Sequence, residues 1–212
     1  MATKNLQPAV IKYRELRRTV GLLGMFFPVI IALGGKVLFS MSLKPSLSQY
    51  YYSDMRDVFV GLLFAIGVFL TAYRGYELQD RYIGLATGLC AMGVALFPMP
   101  LSSCPRPNAS YAHYVFAVLF FVLLIYFCFH EFTQTKGEFT DRKKIRNWIY
   151  KTCGGIMTVC LGGMIAEFII YLVGLEPEWL ANANLIFWGE AVSIFFFGVS
   201  WLVKGDTLFM DK

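Results

Sequence analysis

Two carboxylates, Glu167 and Glu190, stand inside long apolar runs, Trp148–Leu175 and Ala183–Val203. An ionised side chain within hydrocarbon costs at least about 2.5–3.5 kcal/mol on insertion scales, so each acid requires a cation, hydrogen-bond donors or a wet cavity. If the two runs are antiparallel helices, Glu167 and Glu190 lie at nearly equal depth, about 10 Å below one membrane surface at a rise of about 1.5 Å per residue. Lys36, at the end of the first apolar run, is the cation expected at that level. Asp57, Gly61 and Ala65 recur every four residues, which predicts that Asp57 shares a face with small residues and points into a bundle. Glu190, Ser193, Phe197 and Ser200 make a similar stripe on the last run, and His113 opens the fourth.

The expected site at this end comprises Lys36, Ser48, Tyr51, Asp54, Arg56, Asp57, His113, Glu167 and Glu190, with Ser46, Tyr50 and Tyr52 in the loop above. Lys36 and Arg56 would take an anionic phosphate, the arginine bidentately. The best-fitting ligand is a membrane lipid or a lipid-linked headgroup. Three other readings stay open. A lipid-directed enzyme would use Asp57, Glu167 or Glu190 as general base with His113 as acid. A proton-coupled transporter or channel would use the acidic pair, since close carboxylates raise one another's pKa. A structural or interaction module would need only ion pairs, Glu167 with Lys36 and Asp57 with Arg56.

Other chemistries lack their residues. Catalytic zinc typically takes three protein ligands, and the two histidines fall near opposite membrane faces, so no metal is expected. There is no phosphate-binding glycine loop, dinucleotide fingerprint or GxSxG elbow, and no cofactor is expected. No spacing demands a triad of Ser46 or Ser48 with His113 and Asp54 or Asp57. His130 and Glu131, at the opposite end, read as a solvated helix terminus.

The elements that must position these groups follow from composition. The chain has 212 residues, 57% hydrophobic and 16% charged, with net charge +5 and mean hydropathy +0.57. Soluble domains carry about 45–50% apolar and roughly 25% charged residues, so this is an all-α integral membrane protein. The apolar runs predict six spans at 20–39, 58–73, 82–101, 114–132, 148–175 and 183–203. With both termini cytoplasmic, that side holds Lys4, Lys12, Arg14, Arg17, Arg18, Arg74, Arg81, Lys136, Arg142, Lys143, Lys144, Arg146, Lys151, Lys204 and Lys212. The other side keeps only Lys36, Lys44, Arg56 and Arg106, an asymmetry that sets this orientation, and the expected location is the inner (cytoplasmic) membrane. The net charge is thus topological and implies no nucleic-acid partner.

Residues 1–19 read as a basic amphipathic segment, either a short helix on the inner membrane surface or a topogenic tail. Residues 20–204 form the membrane domain and 205–212 a cytoplasmic tail. Gly154, Thr158, Gly162 and Ala166 on the fifth run, and Gly84 and Gly88 on the third, are small-residue seams for close packing. Helices of the same chain or of a second copy, in a homo-oligomer, could fill them. Pro28 should kink the first span. Of five cysteines, Cys90, Cys128, Cys153 and Cys160 lie within spans and only Cys104 in an outer loop, so no disulfide is predicted.

The run Ser46–Gly61 (SLSQYYYSDMRDVFVG), with Ala95–Pro98 (ALFP) and His113 followed by Phe116, Ala117, Phe120 and Phe121, resembles a group of uncharacterised bacterial multi-pass membrane proteins. That group is distantly similar to the DRAM-type six-span superfamily, which includes lipid-anchor remodelling and autophagy-modulating proteins. The resemblance covers roughly 46–121 and implies a compact six-helix bundle with a polar loop after the first span. It implies no reaction, and Glu167 and Glu190 lie outside it.

Overall fold

A computed structural model describes residues 13–75, 78–100, 107–134, 140–175 and 177–205. The described residues are helical and contain no strand. Six long helices coincide with the six apolar runs: α1 (Tyr13–Phe39), α2 (Arg56–Thr71), α3 (Leu78–Leu96), α4 (Pro107–Tyr126), α5 (Asp141–Leu172) and α7 (Leu185–Lys204). A single turn, α6 (Glu178–Ala181), precedes α7, and a 3₁₀ turn over Ser48–Tyr52 lies between α1 and α2. Among the described residues four segments are long and apolar enough to cross a membrane: Arg14–Phe39, Tyr111–Glu131, Asp141–Leu172 and Glu178–Lys204. The 16 residues of α2 reach only about 24 Å at about 1.5 Å per residue.

Residues 1–12 lie outside the described residues, but from Tyr13 the chain is already in α1. The boundary expected at 19/20 therefore falls inside a continuous helix. Leu16 and Val20 are buried against the other helices, which is why these turns do not lie apart on a surface.

Glycines set the closest helix approaches. α1 runs along α7, and a Cβ at Gly198 would strike the Gly21 carbonyl at 2.6 Å. α2 runs along α3, where a Cβ at Gly84 would meet the Leu70 carbonyl at 2.9 Å and one at Gly88 would meet Gly67 and Thr71. The third-run seam is thus filled by α2 of the same chain. The fifth-run seam divides: Gly154 faces Cys128 and Phe129, whereas Thr158, Gly162 and Ala166 are exposed and a Cβ at Gly162 would meet nothing within 4 Å. The cysteines of α3, α5 and the turn after α4 (Cys90, Cys128, Cys153, Cys160) are free thiols, and Cys104 lies outside the described residues.

The two ends of the bundle differ. At the loop end the Ser48–Tyr52 turn folds over α3 and α7. At the tail end, where α1 begins and α7 ends, a cluster of Tyr73, Phe127, Phe132, Tyr150 and Trp201 fills the core, with Tyr73 and Trp201 ring centroids 5.0 Å apart. A π-helical turn at Phe127–Glu131 extends α4 into this cluster.

Candidate functional site

At the loop end a cavity of about 160 Å³ lies between α4, α5, α7 and the loop after α1. Its wall is mostly apolar, including Ala117, Phe121, Leu161 and Met164, and its polar groups are Ser46, Ser48, His113, Tyr114 and Glu190. A smaller void of about 20 Å³ on the inner side of Glu190 has room for about one water molecule.

Glu190 is 8% exposed and comes from the first turns of α7. Its Oε2 accepts the Leu47 N–H at 2.6 Å and its Oε1 accepts the Ser48 hydroxyl at 3.1 Å. Leu47 is the N-cap of the 3₁₀ turn and has no side-chain cap of its own, so Glu190 supplies one from across the fold. A second tie between the same segments runs from the Phe187 N–H to the Pro45 carbonyl at 3.0 Å. The loop is fixed on its other side by the Tyr52 hydroxyl donating to the Met99 carbonyl at 2.7 Å and by Ser46 Oγ against Met99 Sδ at 3.3 Å. Beneath the loop Tyr50 is buried; this desolvation pushes its pKa up, partly offset by a hydrogen bond from the Lys44 backbone.

His113 is 4% exposed, and its Nδ1 lies 2.7 Å from the Phe97 carbonyl, with the Val94 carbonyl also in reach. A carbonyl only accepts, so Nδ1 carries the proton. The histidine thereby satisfies the carbonyls where α3 ends, ahead of Pro98, which cannot continue the helix.

The expected site does not assemble as a whole. Ser48, His113 and Glu190 meet at the cavity. Glu167 is buried, 8% exposed, but does not line it. Asp57 is exposed, because the buried face of α2 is Phe59, Leu63, Ile66 and Leu70 rather than the stripe of Asp57, Gly61 and Ala65. Asp54 is exposed too, and Arg56 turns outward, donating to the Tyr51 hydroxyl at 2.8 Å and lying 4.5 Å over the Tyr51 ring. Lys36 is exposed and makes no ion pair with a described residue. Neither expected pair, Glu167 with Lys36 or Asp57 with Arg56, is formed, and among the described residues no basic side chain lines the cavity.

The tail end holds a second polar group that sequence reasoning placed in water. Glu131 is 1% exposed, 3.6 Å from His130 Nδ1, while His130 stays open. Lys143 is buried and donates to the Phe132 carbonyl at 3.0 Å and the Gln134 carbonyl at 2.8 Å. Lys204 is buried with its ammonium 5.5 Å over the Phe132 ring, and its backbone carbonyl accepts from Arg17 at 3.0 Å. These cations satisfy the carbonyls that end α7 and the π turn, where the helix dipole favours positive charge. Asp80 is buried at the same end. The available signal was the position of Arg17, Lys143 and Lys204 within helical reach of apolar runs, where long stems can bury.

No family model, curated protein or solved structure matches the chain. Its chemistry must be argued from these contacts. Among the described residues no three of His, Cys, Asp and Glu come together as metal ligands. The cavity presents the Glu190 carboxylate, with the hydroxyls of Ser46, Ser48 and Tyr114 beside it. Such a set suits a donor-bearing head, a hydroxyl or an ammonium, better than a phosphate.

Proposed function

We propose that the protein is a six-span inner-membrane protein, both termini cytoplasmic, whose loop-end cavity takes the polar head of an amphipathic lipid or lipid-linked molecule. The observation that supports this most is the cavity itself: an apolar wall with a few convergent polar groups, His113, Ser48 and Glu190, is the usual composition of a ligand site. Its volume of about 160 Å³ is below the roughly 300 Å³ of small-molecule sites, which fits a hydroxyl or amine head or one chain terminus. The Glu190 carboxylate offers about four lone-pair positions and spends some of them on Leu47 and Ser48, leaving capacity for a guest donor. Six spans and this orientation draw support from the six apolar helices and from the crowding of Lys and Arg at the tail end.

The test is native mass spectrometry of the full chain released from nanodiscs of mixed lipids. A lipid with a hydroxyl or amine head should stay bound to the natural chain and be lost from Ala117→Trp, which fills the cavity, while the helical signal and melting curve persist. A folded Ala117→Trp variant with an unchanged lipid profile would reject the reading.

The engagement of Glu190 by Leu47 and Ser48 favours a second reading, in which the polar groups serve only to fasten the loop to α7. In that case Glu190→Ala alters stability and nothing else.

A further inference from the structure

We propose that α1 and α7 form an exterior binding groove for a single phospholipid, an acyl chain lying between the two helices and an anionic phosphate meeting Lys36. The groove has a volume of about 320 Å³ and runs along Val29, Ala32 and Leu33 of α1 and Phe187, Ala191 and Phe195 of α7. Its origin is local. Toward the tail end Gly21, Gly24 and Gly198 bring the two backbones into contact. Past them stands Pro28, which removes a helical N–H and lines the gap that opens toward the loop end.

Both helices belong to segments long and apolar enough to cross a membrane, so the groove is covered by lipid or by protein. A groove of about 320 Å³ with a wholly apolar lining accommodates an acyl chain, and a second copy seated on it is an outcome the experiment below separates. The position of Lys36 decides the head. It lies four residues past Ala32 and seven past Val29, on the same face one turn closer to the loop end. It is exposed and forms no ion pair with a described residue. An ammonium at the head of an apolar channel, where the helix leaves the hydrocarbon, complements a phosphate whose chain descends below it.

This inference rests on α1 and α7 crossing a membrane and does not rest on the cavity at Glu190. Phe187 and Ala191 turn to the groove, while Ile186 and Glu190 turn to the cavity. Ala32→Trp fills the groove and Ala117→Trp fills the cavity, so the two can fail separately.

The experiment is native mass spectrometry of the full chain from nanodiscs containing phosphatidylglycerol, phosphatidylcholine and diacylglycerol, repeated with millimolar inorganic phosphate. Phosphatidylglycerol should be retained above diacylglycerol, about fivefold less in Lys36→Gln, and not at all in Ala32→Trp. Inorganic phosphate should not displace it, because the chain carries part of the affinity. Lys36→Gln changes an exposed side chain and keeps the fold, so the test does not depend on the tryptophan variant folding. Retention unchanged in Lys36→Gln, equal retention of diacylglycerol, displacement by free phosphate, or a cross-linked dimer through Val29 and Trp188 would each overturn the proposal.

Discussion

The Glu190 carboxylate accepts the Leu47 backbone N–H at 2.6 Å, joining positions 143 residues apart. Ser46 Oγ accepts the Gln49 N–H at 3.1 Å within the 3₁₀ turn, Glu190 adds an acceptor from α7, and the loop crosses over apolar core at Tyr50 and Met55. One buried acid is thus among the ties that hold the roof of the cavity, with Phe187 to Pro45 and Tyr52 to Met99.

Glu190→Ala leaves the Leu47 N–H and Ser48 hydroxyl without their acceptor. Buried hydrogen bonds to charged groups contribute about 1.5–3 kcal/mol each, so the variant should lose about 2–4 kcal/mol and expose the loop at 46–53 to protease. Thermal unfolding in detergent with limited proteolysis reads both. An unaltered melting curve with an uncut loop would show that the turn stands without Glu190.

His113→Ala removes the donor at the end of α3. The Phe97 carbonyl would lose its partner in a part-buried position at a cost of about 1 kcal/mol. His113→Gln, which can still donate, should recover part of that loss, whereas His113→Leu should not. Equal melting temperatures for Gln and Leu would mean that packing, not the hydrogen bond, holds this position.

Neighbouring lysines should behave differently. Lys143 donates to two carbonyls from a buried position, while Lys144 pairs at 2.9 Å with Asp141 with both side chains more than half exposed. Lys143→Ala should destabilise by about 2 kcal/mol, and Lys144→Ala by under about 0.5 kcal/mol, as exposed helical pairs do. Chemical denaturation of the two variants side by side would show the contrast, and equal midpoints would contradict the tail-end assignment.

Glycines on different faces should also separate. Gly198→Leu puts a side chain into the α1 backbone and should abolish folded protein, whereas Gly162→Leu enters open space and should leave the melting temperature within a few degrees. Size-exclusion of the folded Gly162→Leu protein also reports whether the exposed α5 face holds a second copy, since a leucine there would shift a dimer to monomer.

Much of the fold was legible because six apolar runs separated by charged or proline-bearing segments leave few options. Glu190 and His113 were legible as buried groups at one end, since a polar residue within an apolar run has few tolerable positions. The faces were not. Between lipid and core there is no polarity difference to read, so Asp57, Gly61 and Ala65 formed as good a stripe as Phe59, Leu63, Ile66 and Leu70, and only the packing of α2 on α3 selects the latter. The same ambiguity divided the α5 seam between Gly154, which packs inside, and Gly162, which does not. Buried Glu131 was read as solvated because sequence marks a charge near a helix end as exposed, while tail-end packing encloses it.

The tie between Glu190 and Leu47 also fixes an order of events during synthesis. The chain is made from its N-terminus, so the first loop waits without its acceptor until the last helix has left the ribosome and entered the bilayer. Until then Leu47 and Ser48 must be solvated or held by the insertion machinery, and α1 likewise lacks the helix it packs along. Closure is thus a late step that ties α7 back to the loop after α1, and a nascent chain stalled before residue 190 would carry that loop open however well its other helices had assembled.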